Sequence, residues 1–122
     1  MEDKAYKQLK AFGSIIKSHP MGYTNMLSAL LFINSKASEI VIVGNREDEN
    51  AKRMIKSINS HFSPFTVVLF KDKENAEEGI TSIAPYTEAQ GMVDNKTTAY
   101  ICENFACMAP ITDLKEFENV LA

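Results

Sequence analysis

The residues of this chain best suited to chemistry are its two cysteines, Cys102 and Cys107. Their C-x4-C spacing is not the C-x-x-C of a thioredoxin-type site. If the residues between them form a hairpin turn, the two sulfurs come near each other and a strained regulatory disulfide can close. The plainer reading is two free thiols in a reducing compartment, packed beside a sheet as small hydrophobes. Zinc would need a second pair of ligands, and His19 and His61 lie far off in sequence and in different elements. No metal site is expected.

A second candidate lies at Gly44-Asn45-Arg46, where an apolar run ends and a helical pattern begins. Open α/β sheets bind ligands at the carboxyl ends of their strands. If the third strand lies beside the first, on the side away from the second, Glu103 and Asn104 end up near Asn45 and Arg46 as a polar crevice. The chain has neither a glycine-rich dinucleotide fingerprint nor a phosphate-cradling loop. The plainer alternative is an ordinary βα turn, with Gly44 chosen for backbone freedom. Histidine is the side chain best suited to serve as a base near neutral pH, but His19 and His61 have no Ser, Cys or carboxylate at a telling spacing. Both fall near helix ends, where histidine commonly interacts with the dipole. Tyr23, Tyr86 and Tyr100 carry no assignable chemistry, and the acidic clusters Glu47–Glu49 and Glu77-Glu78 read as solvated faces. No catalytic residue and no cofactor are assigned.

The elements that must position these residues follow from periodicity. Residues 3–18 place Ala5, Leu9, Phe12 and Ile16 at helical spacing. His19-Pro20 breaks that helix, because the residue before proline avoids the helical region. A second helix is expected over Thr24–Asn34, TNMLSALLFIN, which is apolar nearly all round and so needs cover on more than one side. The two make a helical hairpin. Residues 39–44, EIVIVG, read as a buried parallel strand. Glu47, Asp48 and Glu49 open a helix carrying the stripe Ala51, Met54, Ile55, Ile58 and Phe62, and Ser63-Pro64 ends it. Residues 65–70, FTVVLF, complete a right-handed βαβ unit. Residues 71–79 read as charged and exposed, 80–90 as loop and 91–96 as turn. The third strand is TTAYIC, residues 97–102, followed by a turn over residues 103–106 and a short fourth strand within Cys107–Pro110. Thr112 or Asp113 caps a last helix, with Glu116 placed for a capping box and Leu114, Phe117 and Leu121 as its buried face.

The predicted fold class is therefore α/β. An N-terminal helical hairpin, residues 1–36, packs on a small three- to four-stranded, mainly parallel sheet in residues 37–122. The 122 residues suit one modest core, and 45% hydrophobic with 24% charged residues is ordinary for a globular chain. A net charge of −3, with lysines scattered among acids, argues against nucleic acid as a partner. No basic amphipathic stripe points to a membrane surface. Neither of the longest apolar runs, Ala29–Ile33 and Ile40–Gly44, approaches a transmembrane length. The mixed-charge start MEDKAYKQLK is neither a signal nor a transit peptide. A cytoplasmic location is expected.

At the tail, AYICENFACMAPITD followed by LKEFENVL resembles the C-terminal end of the YyaL and spermatogenesis-associated protein family. HPMGYTNML resembles that family's last toroid helix, EIVIVG its following strand and FTVVLF the next. The specific part is Cys102-Glu103-Asn104 with Cys107 and Pro110-Ile111-Thr112-Asp113. The resemblance implies a longer parent protein, with an N-terminal thioredoxin-like domain and an (α/α) toroid similar to six-hairpin glycosidases and sugar 2-epimerases. This chain would then be its C-terminal fragment, and the two N-terminal helices the closing hairpin of the toroid. The expected role is a non-catalytic structural or interaction module. Its partner is the remainder of the parent chain, and the isolated fragment is expected either to self-associate or to be only marginally stable. In the alternative, the segment contributes Asn45, Arg46, Glu103, Asn104 and the cysteines to a carbohydrate-active or thiol-redox enzyme.

Overall fold

A computed structural model of the chain describes residues 2–74, 79–103 and 106–121, the side chain of Glu2 excepted. Asn104, the Glu77-Glu78 pair and the centre of the turn expected over residues 103–106 lie outside the described residues. The chain divides into two compact units, Met1–Lys36 and Ala37–Ala122.

The first unit is a helical hairpin. Helix α1 (Glu2–Ser18) ends at His19, whose backbone at φ −136 and ψ 62 has left the helical region ahead of Pro20. A short 3-10 turn, Pro20–Tyr23, leads into α2 (Thr24–Asn34). Of the unit's described side chains only Ile16 is buried. Helix α2, apolar as it is, buries no residue.

The second unit is built on a four-stranded sheet in the order β2-β1-β3-β4, from β1 (Ser38–Gly44), β2 (Thr66–Asp72), β3 (Thr98–Glu103) and β4 (Ala106–Cys107). Helix α3 (Glu49–Ser60) crosses from β1 to β2, which pair in parallel as a βαβ unit. The sheet is nevertheless mixed rather than mainly parallel. The segment after β2 enters β3 at Thr98, which pairs with Val43, one residue from the Gly44–Asp72 pair. A strand that starts at the sheet end where its predecessor stopped must run back, so β3 is antiparallel to β1. Strand β4 is antiparallel to β3.

Alternation along the strands gives the sheet two faces. On one, Ile40, Ile42, Ala99 and Ile101 form the core with Met54 and Ile58 of α3 and Phe117 of α5 (Leu114–Leu121); Phe70 packs against it. Asp48 caps α3 by accepting from Asn50 N, and Asp113 caps α5 by accepting from Glu116 N. Ser57 of α3 donates to Glu118 of α5 at 2.9 Å. Phe62, assigned to the α3 stripe on periodicity, is 92% exposed because the helix ends two residues earlier, at Ser60.

The other face carries Glu39, Val41, Val43, Lys71, Tyr100 and Cys102. Residues 80–90, expected as loop, hold a short helix α4 (Ile80–Ile83) and a 3-10 turn at Pro85–Thr87. This segment lies as a strap over that face. Tyr86 bonds Glu39, Lys71 bonds the strap's carbonyls, and Gln90 reaches Cys102.

Candidate functional site

The expected crevice does not assemble. Glu103 pairs with Ser38, at the amino end of β1, while Gly44-Asn45-Arg46 sits at the carboxyl end. Six residues of strand separate them, about 20 Å at the usual rise. The expectation needed β3 to run parallel to β1, and it runs the other way. Glu103 is exposed, and Asn104 lies outside the described residues.

What gathers at the carboxyl end of β1 is a self-satisfied turn. Asn45 Oδ1 accepts from Glu47 N at 2.8 Å, and its Nδ2 donates to Glu74 Oε1 at 3.0 Å. The Arg46 guanidinium sits 5.8 Å from the Phe70 ring centroid. Gly44 is required by close approach, since a Cβ there would come within 2.6 Å of Thr97 Oγ1. That hydroxyl donates to Asp48 Oδ2. The bond, together with the Asn50 amide, holds the Asp48 carboxyl below its ordinary range. Lys52 reaches Glu47 and Glu49 at 3.2 and 3.3 Å, and these two carboxylates raise its ammonium above its usual value.

The cysteines do come together. Cys102 and Cys107 face each other across the β3–β4 ladder with Cα atoms 3.9 Å apart, and their sulfurs are bonded. Met108 N donates to Ile101 O beside them. This makes the pair a non-hydrogen-bonded position, where side chains on adjacent strands approach most closely. The reading of two free thiols is thus replaced by a disulfide. Cys102 is buried and Cys107 exposed. Gln90 Nε2 lies 3.7 Å from Cys102 Sγ and 3.6 Å from Cys107 Sγ, while Gln90 Oε1 is buried without a partner.

Behind Gln90, Lys71 Nζ donates to the carbonyls of Thr87, Glu88 and Gln90 at 2.7, 3.1 and 2.7 Å. Three acceptors match the three donors of an ammonium group. Burial, with a hydrogen bond to the Glu39 carboxylate, pushes the Tyr86 phenol up to about 12. Lys71 and Gln90 were missed because residues 71–79 read as charged and exposed and 80–90 as loop, whereas β2 runs on to Asp72 and buries Lys71. A signal was available: Lys71 shares strand parity with Val67 and Leu69 of FTVVLF, and in the sheet Leu69 and Lys71 lie opposite Val41 and Val43 on the same face. The two histidines cap helices, His61 through Nδ1 to Ser57 O at 2.8 Å and His19 through its own amide to Ile15 O at 2.9 Å. Among the described residues no three His, Cys, Asp or Glu side chains gather to hold a metal ion.

The hairpin unit offers a different kind of surface. Tyr6, Leu9 and Ile16 of α1 and Leu27, Leu30 and Ile33 of α2 line a groove of about 560 Å³. Leu31, on the same helix, is 61% exposed. Among the described residues no helix is long and apolar enough to cross a membrane.

A mixed α/β unit joined to a helical hairpin with an open apolar groove is the class the geometry defines. Neither a family model nor a solved structure matches the chain. Among curated proteins it is similar to spermatogenesis-associated protein 20 of Homo sapiens, with 29% identity over 119 residues. The likeness covers 98% of this chain and 15% of that protein, so the chain spans under a sixth of its relative. The resemblance to spermatogenesis-associated proteins read from the tail and three earlier segments therefore extends over nearly the whole chain, which is consistent with a fragment of a protein of that type.

Proposed function

We propose that this chain is a non-catalytic C-terminal structural or interaction module of a longer spermatogenesis-associated-type protein, and that its helical hairpin docks on the rest of that protein. The observation that carries this reading is α2. Its eleven residues bury none of their side chains within the chain, and Leu27, Leu30 and Ile33 open into the apolar groove. Apolar residues in that arrangement are favoured only when a further surface removes them from water, at about 25 cal/mol per Å². The relative's much greater length supplies room for such a surface.

Calorimetric titration of this chain against the separately expressed remainder of the longer protein tests the reading. Saturable binding with a negative heat-capacity change is expected, because apolar area leaves water. A chain that stays monomeric by sedimentation and shows no heat of binding would count against it. Self-association in place of binding would mean that a second copy covers the groove.

A further inference from the structure

We infer that Cys102 and Cys107 form a reversible dithiol–disulfide couple, entered at Cys107 and biased toward the dithiol by Gln90. The inference stands on the second unit alone and is independent of what covers the hairpin.

The two sulfurs differ in access. Cys107 lies on an exposed two-residue edge strand, whereas Cys102 is 4% exposed beneath the strap. An incoming thiolate can therefore reach the Cys107 sulfur. Its attack forms a mixed disulfide at Cys107 and breaks the Cys102–Cys107 bond, whose electron pair leaves on Cys102 Sγ and takes up a proton. A second thiol, from the same dithiol or from another monothiol, then attacks the reductant's own sulfur and releases Cys107, which is protonated in turn. The protein gains two electrons and two protons, and the thiol reductant is oxidised to its disulfide.

Gln90 supplies the bias. Its Nε2 points at both sulfurs, so a donor already stands beside Cys102 when negative charge arrives there. Its Oε1 has no donor within reach, and a buried acceptor left in that condition is costly. A disulfide carries no hydrogen and cannot relieve it. Reduction creates two S–H donors and frees the sulfurs to separate, so that one can turn to donate to Oε1 while the other still accepts from Nε2. The oxidised state thus leaves a polar atom unsatisfied that the reduced state satisfies. Gln90 is held for this by its own carbonyl, which accepts from Lys71. It is a positioning residue rather than a reacting one.

The bridge closes a short loop, with a sequence separation of five. Cross-links over short loops restrict the unfolded chain least, so opening this one leaves the fold standing.

The test equilibrates the full chain in mixtures of reduced and oxidised glutathione, followed by acid quench and mass-tagging of free thiols, with circular dichroism to confirm folding. A folded chain that passes from two protected sulfurs to two tagged ones within the glutathione range is expected. Gln90→Leu should move the equilibrium toward the disulfide by roughly threefold or more, the size of one weak hydrogen bond. A bridge that resists reduced glutathione until the chain unfolds would overturn the couple. So would a Gln90→Leu shift that is smaller, or toward the dithiol, in a folded variant. Should that variant misfold, the single-cysteine chains decide. Cys107 in Cys102→Ser is expected to react with oxidised glutathione about tenfold faster than Cys102 in Cys107→Ser. Equal rates overturn entry at Cys107.

Discussion

Helices α2 and α3 are nearly the same length, eleven and twelve residues, and they solve opposite problems. Helix α3 has one apolar stripe, buries Ala51, Met54 and Ile58 against the sheet, and turns its charged residues to water. Helix α2 is apolar on nearly every side and buries nothing. An amphipathic helix states in its own sequence how much cover it needs, and within this chain α3 finds all of it. A helix without a polar face states that it needs more than one neighbour. The contrast separates a closed core in Ala37–Ala122 from a hairpin in Met1–Lys36 whose described side chains bury only Ile16.

The sharpest way to break the contrast is to damage the closed core. Phe117 is fully buried under α3 and the sheet, so Phe117→Ala should cost about 3–5 kcal/mol, read as a lower urea midpoint. A loss below about 1 kcal/mol would mean that the second unit is not closed as described. On the hairpin, Leu30→Glu in the groove should leave urea stability within about 0.5 kcal/mol, as an exposed substitution does. On the docking proposed above, association with the remainder of a longer protein should weaken about tenfold or more in the same variant.

Smaller effects test how α3 is held. Asp48→Ala removes the helix cap and the Thr97 bond, and should cost about 1 kcal/mol. The Asp48 carboxyl titrates below its ordinary value of 3.8 in the folded chain. Its contribution is therefore fully present above that value and lost as pH falls through the folded one. Asp48→Asn should flatten the acid limb of the stability profile, and an unchanged limb would remove the carboxylate from the account. The smallest effect concerns Tyr86. Its folded value near 12 lies above the ordinary 10.0, so its contribution holds below 10.0 and fades as pH rises through the folded value. Tyr86→Phe should delete a phenol titrating near 12 from an ultraviolet pH titration.

Much of the fold was legible because its parts announce themselves locally. EIVIVG and FTVVLF are β-branched runs joined by an amphipathic helix, and no context is needed to read a βαβ unit from them. The direction of β3 was not legible, since TTAYIC reads identically whichever way it lies beside β1. Direction depends on where residues 73–97 deliver the chain, and the polar, weakly patterned strap gave no sign that it would cover a face. The crevice failed with that direction. The cysteine pair lay between the two cases. The spacing allowed a hairpin, but whether the sulfurs face each other rests on a register that only the completed ladder sets. Gln90 was hidden because a buried amide in a loop looks, in sequence, like any solvent-facing one.

The register of the sheet also orders its assembly. Every β1–β2 pair joins residues 28 apart, as in Ser38 with Thr66 (66 − 38), and α3 fills the interval with local contacts. The β1–β3 pairs run from 55 apart at Val43 with Thr98 (98 − 43) to 65 at Ser38 with Glu103 (103 − 38). Doubling a loop adds only about 0.6 kcal/mol of closure entropy, so the difference is small in stability. It matters more for rate, because distant pairings wait until intervening chain has been placed. The βαβ half can nucleate alone, while β3 zips from Thr98 toward Glu103 afterwards. On that ordering the sheet is expected to close from the end where Gly44 admits Thr97, with Cys102 and Cys107 meeting after it, an order that pulsed amide exchange during refolding checks.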